Sequence, residues 1–402
     1  MSLRQAQGRP VRIVLTADNH LGRFYDRMPP QRLEERRRWL RRGFQAAVDC
    51  ALERRADLFL QAGDLFDTPD PRNVDREFVA ECLVQLTRAG VRCYGVGGNH
   101  DTPKMSTEQG GILPQSIYHR LGGLNLFKKK LAIEYEIANV DGLRVAIGGL
   151  TRNHTLPPDA DPLEEIEPAP IDADIRFLLL HYSVEGCVSG LYQNDPCVRR
   201  RSLEKFKQPH FFLVGHVHRF DKFTVGDKQV LVPGATEKMT FDPNEKEPGF
   251  IYAEISPDGS ADVQHVPVPY QARREVTLRT SELDAQELFA SILRRLEPII
   301  DRETMLKVRL EGPISREGYH GLQLRQLHEF AASNFFSFDL DTSGLHLEDE
   351  FQRSAERGVR FSQQEEVAGV AAEMYSQCES EVEGELILAA RDEILSHYAI
   401  ER

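Results

Sequence analysis

The 402-residue sequence predicts an α/β layer fold followed by a second, smaller α+β unit. Three observations carry this reading. Short apolar, β-branched runs alternate with helical stretches through the first part of the chain. Five short polar motifs stand at or just beyond the ends of those runs. A proline-bearing segment at 266–270 then separates them from a compact βαβαβ pattern.

Strands are expected at 11–15, 58–61, 92–96, 144–147, 177–180, 211–214, 229–232 and 250–255. Between the first three, helices are expected at about 33–54 and 74–89; in the first, Leu33, Leu40, Phe44 and Val48 recur at helical spacing. The later strands follow one another with shorter connections and turn signals, so part of the sheet is antiparallel or belongs to a second sheet. Past 266–270 come a strand at 276–278, a helix at 284–296 with Ser281 as its cap, a strand at 306–310, a helix at 322–332 and a strand at 335–340. The remainder holds two amphipathic helices near 364–377 and 383–398. The domain boundaries expected are thus 10–270, 274–342 and an acidic helical tail at 343–402.

At 41% hydrophobic and 28% charged residues, the composition excludes collagen-like, disordered and coiled-coil classes. No apolar run approaches the roughly 18 residues of a membrane span, and residues 1–10 lack the apolar stretch of a secretory leader. No membrane association and a cytoplasmic location are therefore expected. The six cysteines are scattered without a CxxC pair, as reduced core thiols would be. The net charge of −13 argues against a generic nucleic-acid binder, but it is polarised. Residues 1–42 hold eleven arginines against four acids, whereas residues 343–402 hold five arginines against fourteen.

The first strand runs into Asp18-Asn19-His20 and the second into Gly63-Asp64-Leu65-Phe66-Asp67. The third ends in Gly98-Asn99-His100-Asp101, and later strands deliver His181 and Gly215-His216-Val217-His218. Strand ends are where open α/β sheets place their ligands. Imidazole and carboxylate donors without cysteine suit a pair of divalent manganese, iron or zinc ions and argue against a closed structural zinc site. On an extended segment, residues i and i+2 of an Asp-x-His pair point to one side and can reach one ion. Asp64 is the natural bridging carboxylate, and Gly63 lets the backbone turn beside it.

These five motifs, in this order, resemble the signature of the calcineurin-like metallophosphoesterases. Leu21-Gly22, Ala62 through Asp67 and Val232-Pro233-Gly234-Ala235-Thr236-Glu237 are further similar to the DNA-repair exonuclease subunits of the SbcD type. The resemblance covers roughly residues 10–270, implies an αββα sandwich, and puts a DNA-capping domain at the βαβαβ unit. By position it implies that Asp18, His20, Asp64 and His218 hold one ion, and that Asp64, Asn99, His181 and His216 hold the other. His100 is then the general acid, with Asp101 orienting it. Asp67 reads equally as a substrate contact or as a turn or outer-shell acceptor, and Arg23 as a phosphate contact or a solvated loop residue. Manganese is the expected ion by resemblance.

Two dications and two carboxylates leave the site near +2, which draws a phosphodiester. Such a centre activates water for in-line displacement, and a protonated His100 donates to the leaving oxygen. The expected function is a two-metal phosphodiesterase, a DNA exonuclease or endonuclease acting on ends in double-strand break repair. The rivals are a phosphohydrolase of small substrates, such as cyclic nucleotides or nucleotide phosphates, and a noncatalytic scaffold. By resemblance the partners are DNA, a coiled-coil ABC-type ATPase of the SbcC kind and a second copy of the chain. The run Arg36-Arg37-Arg38 with Arg41 and Arg42 reads as a solvated helix face, with a phosphate-backbone track as its rival.

Overall fold

The computed structural model describes residues 9–25, 28–167, 170–187, 194–206, 209–242 and 246–347, with helical positions between 370 and 395. In chain order the elements are β1 (Val11–Thr16), α1 (Pro30–Glu53), β2 (Leu58–Gln61), α2 (Asn73–Arg88), β3 (Arg92–Val96), α3 (Ser116–Arg120), β4 (Asn125–Phe127), β5 (Glu134–Val140) and β6 (Leu143–Leu150). There follow β7 (Ile175–His181), β8 (Ser183–Val184), β9 (Cys197–Val198), α4 (Arg200–Lys205), β10 (Phe211–Gly215), β11 (Asp221–Val225), β12 (Lys228–Val232), β13 (Gly249–Ile255) and β14 (Ala261–Pro267). The last are β15 (Arg273–Arg279), α5 (Leu288–Leu296), β16 (Asp301–Ile314), α6 (Arg316–Gly321), α7 (Leu324–Asn334) and β17 (Phe335–Leu347).

Two six-stranded sheets, in orders β14-β13-β1-β2-β3-β4 and β11-β12-β10-β7-β6-β5, form the middle of the larger unit. The interior strands alternate between two burial partners. Val11, Ile13 and Leu15 of β1 share one core with Ile175, Phe177 and Leu179 of β7. Val14 joins Leu40, Phe44 and Val48 of α1 on the other face of its sheet, and Leu178 and Leu180 pack with Leu203 of α4. This is the expected αββα layering, helix on sheet on sheet on helix.

The eight strands read from sequence are all interior members of these sheets, and each sheet is mixed rather than wholly parallel. β1, β2 and β3 run parallel, while β13 pairs with β1 antiparallel. Strands β7 and β10 also run parallel. Since Thr16, Gln61 and Val96 end neighbouring parallel strands, the loops after them emerge along one sheet edge.

Residues 273–347 supply the three-stranded sheet β15-β16-β17 and α5 to α7. Packing divides the chain so that residues 300–308 and 328–339 group with residues up to Val276, while 277–299, 309–327 and the residues from Leu340 onward form the other unit. Ser281 is not the cap expected of it: it lies in a 3-10 turn at Thr280–Glu282, and α5 begins only at Leu288. The helix expected at 322–332 forms as α7, two residues later, and Gln323, in the left-handed region at φ 47°, separates it from the short α6 that precedes it. Much of the two expected tail helices lies outside the described residues. Among the described residues no helix is long and apolar enough to cross a membrane.

Candidate metal centre

The five motifs arrive from β1, β2, β3, β7 and β10 and converge. Backbone bonds lace the first two loops together: Asp18 N donates to Gly63 O at 3.1 Å, and Asn19 N to Asp64 O at 2.9 Å. Asn19 Nδ2 donates to Thr16 Oγ1 and Thr236 Oγ1, which ties the Asp18 turn to the loop after β12.

The extended Asp-x-His segment expected from the spacing is not what forms. Asp18, His20 and Asp64 adopt φ of 51°, 46° and 53°, and His216 one of 86°, all in the left-handed region that L-residues avoid. Side chains converge because the loops coil tightly, not because a pleat alternates. Such backbone strain persists only where surrounding contacts enforce it, and it concentrates at functional sites.

Asp18, His20 and His218 each offer a ligand atom within 4.8 Å of the others, as do Asp18, Asp64 and His181, and also His20, Asp67 and His100. His20 Nε2 and His218 Nε2 lie 3.2 Å apart. Asp64 Oδ2 lies 3.2 Å from His181 Nε2 and 3.8 Å from His20 Nε2, between the two groups. Asn99 Oδ1 sits 3.0 Å from His181 Nε2 and 2.8 Å from His216 Nδ1. All seven expected ligands are thus brought to one place, Asp18, His20 and His181 with no exposed side-chain surface.

Hydrogen bonding on the far side of each ring decides what faces inward. His181 Nδ1 lies 2.7 Å from Ala62 O, which only accepts, so Nδ1 carries the proton. His181 Nε2 then points a lone pair at two further acceptors, Asp64 Oδ2 and Asn99 Oδ1. Three acceptors facing one another call for a cation or an extra proton. The metal-free site takes the proton: burial opposes a charged His181, but Asp64 and Asp18 overcome it and push its pKa up to about 9. Burial likewise raises Asp18 to about 6. Burial works against ionised Asp64 too, yet the surrounding His181, His20 and His100 rings hold it well below the usual carboxylate range. Burial and the neighbouring His20 and His216 keep His218 far below the usual imidazole value, as a neutral ligand must be. An acceptor-rich cluster of carboxylate, amide oxygen and imidazole fits a pair of divalent ions.

His100 stands at the mouth with its side chain 40% exposed; its ring meets His20 edge-on at 4.6 Å. Asp67 Oδ1 lies 2.9 Å from His20 Nδ1 and 3.7 Å from His100 Nδ1, so it anchors the His20 ring from outside the cluster. Asp101 departs from the orienting role expected of it. Its oxygens accept from Gly98 N at 2.8 Å, Leu65 N at 2.9 Å, Phe66 N at 3.4 Å and Gln115 Nε2, rather than from the His100 ring. It braces the loops that carry His100 and Asp64. Arg23 is half-buried, with Nη1 3.5 Å from Met239 Sδ and its guanidinium over the Tyr25 ring.

The arginine run is not the solvated face expected. Arg36 and Arg37 are buried, the first paired with Glu237 and the second donating to Gly22 O and Arg23 O at 3.1 Å. Arg41 is held by Asp75 and Glu34, each at 2.6 Å. Arg36 and Arg37 clamp α1 to the loops of the site and Arg41 ties it to α2; Arg38 and Arg42 remain exposed.

Three further residues at the centre lie outside the five motifs. Asp195 Oδ2 lies 2.9 Å from His216 Nε2, and Arg152 holds Asp195. His154, which lies outside the five motifs, lines the cleft of about 460 Å³ at the centre's mouth, together with Asn99, His100, Lys104, Arg152 and Asp195. Arg152 follows the end of β6, so the strand-end rule that found the five motifs would have flagged it; nothing in the sequence around Asp195 marks it.

Residues 11–220 match the family model described as calcineurin-like phosphoesterase. Three curated relatives, each named DNA double-strand break repair protein Mre11, also match. The one from Methanosarcina mazei is 26% identical over 308 residues, 75% of this chain and 45% of the relative. The one from Methanococcus maripaludis is 26% identical over 261 residues, 62% of this chain and 64% of the relative. The one from Sulfurisphaera tokodaii is 23% identical over 327 residues, covering 79% and 78%. The chain spans less than two thirds of the length of the first two.

Proposed function

The chain belongs to the calcineurin-like phosphoesterase family, and from that premise we propose that it is a metal-dependent phosphodiesterase that cuts DNA at ends during double-strand break repair. The observation that carries the reading is the convergence of Asp18, His20, Asp64, Asn99, His181, His216 and His218 into one acceptor-rich cluster. The names of the curated relatives support DNA as the substrate.

Asp18, His20, Asp64 and His218 would hold one ion, and Asp64, Asn99, His181 and His216 the other, with manganese the ion proposed. When bound, the ions supply the Lewis acidity that activates water and offsets charge on the phosphoryl oxygens. Asp64 joins the two groups through Oδ2, and its Oδ1 accepts from His100 N at 2.8 Å, so the loop bearing His100 is fixed relative to both. The His100 ring projects into the cleft, where it can donate to a leaving oxygen. Burial lowers its pKa, so the neutral ring is the main form near pH 7 and the protonated fraction, which grows as the pH falls, is the proton donor. Lys104 lines the same cleft and offers a cationic contact to a phosphodiester backbone. A coiled-coil ABC-type ATPase is the partner proposed, on the sequence resemblance.

Purified protein with Mn²⁺ on end-labelled duplex DNA, single-stranded DNA and a chromogenic phosphodiester tests this, beside Asp64→Asn and His100→Ala. DNA degradation lost in both variants supports the proposal. Turnover of the small ester without DNA cleavage replaces it with a small-substrate phosphohydrolase, and inertness on all three with ions bound replaces it with a scaffold.

A further inference from the structure

His216 differs from the other ring ligands in the nitrogen it turns inward. His20 and His181 direct Nε2 at the cluster and are anchored through Nδ1, by Asp67 and by Ala62 O. His216 is reversed: Nδ1 lies 2.8 Å from Asn99 Oδ1, while Nε2 lies 2.9 Å from Asp195 Oδ2. We propose that Asp195, gripped by Arg152, is a positioning residue that fixes His216 in the tautomer and ring orientation needed to present Nδ1 to one of the two ions, an inference that rests on the dinuclear reading above.

A neutral imidazole carries one N–H. An ionised carboxylate only accepts, so the Asp195 charge 2.9 Å away favours the proton on Nε2, without an aligned hydrogen bond, and leaves the Nδ1 lone pair facing the cluster. Asn99 Oδ1, an acceptor 2.8 Å from Nδ1, would without that charge draw the N–H to Nδ1 and turn the donor side toward the ion. The carboxylate therefore excludes the wrong tautomer.

Asp195 is itself held from a fixed point. Arg152 Nη1 donates to Asp195 Oδ2 at 3.1 Å and Nη2 to Oδ1, a forked contact that sets the carboxylate plane. The Arg152 guanidinium lies 4.8 Å from the centroid of the Tyr182 ring, beside His181 in sequence. Its backbone N donates to Gly97 O at 3.0 Å, one residue before the Gly98-Asn99-His100 loop. One arginine thus registers two of the motif loops against each other, and Asp195 passes that registration to a third.

The test is Mn²⁺ titration of the full chain by calorimetry, with electron paramagnetic resonance reading the spin coupling of a dinuclear pair, on the wild type, Asp195→Ala, Asp195→Asn and Arg152→Met. The expected result is two ions in the wild type and, in Asp195→Ala, one site weakened by about 10- to 100-fold with the coupled signal lost and the other site unchanged. Asp195→Asn, which keeps an acceptor oxygen, should retain more affinity than the alanine variant, and Arg152→Met should shift the same site by less. Circular dichroism of the metal-free variants reports folding; if Asp195→Ala fails to fold, the asparagine variant carries the readout. Two ions bound by folded variants with wild-type affinity and coupling overturn this inference alone, leaving Asp195 a substrate contact. A wild type that takes up no ions overturns the functional reading and this inference together.

Discussion

Arg36 and Glu237 form an ion pair at 2.9 Å with no exposed surface on either side chain, joining the second turn of α1 to the loop that follows β12. Glu237 also accepts from Lys238 N and Gln271 N, and Arg36 Nη2 donates to Lys238 O. The pair sits where Gly43 of α1 meets Thr236 closely; a Cβ at Gly43 would lie 2.1 Å from Thr236 O. The same Thr236 holds Asn19 of the Asp18 turn, so the clamp acts on the metal centre through one intermediary.

Removing one partner strands a buried charge. Glu237→Ala or Arg36→Met should each cost about 3–5 kcal/mol, and the double Arg36→Met/Glu237→Leu variant less than their sum. Urea unfolding of the four proteins measures this; additive losses would mean that the charges do not depend on each other.

His100 and Asp101 should separate by phenotype. His100→Ala removes a ring at the cleft mouth and is expected to cost about 10²–10⁴ in DNA turnover while leaving ion uptake intact. Asp101→Ala strands the N–H groups of Gly98, Leu65 and Phe66 and the amide of Gln115, each buried donor costing on the order of 1–3 kcal/mol. It should lower thermal stability and ion affinity together. Ion loss in His100→Ala would instead place its ring among the ligands, beside His20 and Asp67.

What the sequence made legible follows burial. The eight interior strands of the two six-stranded sheets are covered on both sides and so show as apolar runs, whereas β4, β5, β11 and β14, the sheet edges, do not. Exposed and buried positions intermingle along β5, β11 and β14, which dilutes the signal. The ligands were legible because residue types such as Asp18 and His216 cluster at strand ends. Their left-handed backbone was not, since the pair spacing is the same in a pleat and in a tight turn. The arginines misled because charge alone does not show that Glu237 or Asp75 waits in space, hundreds or tens of residues away in sequence.

Gly98 tests how tightly the loops must approach. A Cβ there would lie 2.1 Å from Asp64 Oδ1 and 2.4 Å from Asp64 N, so Gly98→Ala has to push the Asp64 carboxylate and its loop apart. A displacement near 1 Å costs on the order of 10²-fold in rate. The variant is expected to fold, to bind Mn²⁺ more weakly and to lose DNA turnover to about that extent. Wild-type ion affinity in Gly98→Ala would mean that Asp64 does not bridge.

Ion uptake should release protons, with a sign fixed by the metal-free site. His181 is held at about 9, so below that pH it carries a proton that an incoming ion has to displace. Affinity is therefore expected to rise with pH through the neutral range, by at least tenfold per unit up to about 9, and to level off above it. Below about 6, Asp18 adds a second proton and the slope steepens. His216 and His218, both with lowered pKa, are already neutral near pH 7 and contribute little. Calorimetric titration at pH 7.5 in buffers of different ionisation enthalpy counts the protons directly. One or more released per protein is expected, and a count of zero would show that His181 enters the reaction neutral and that its acceptor-facing nitrogen needs no cation.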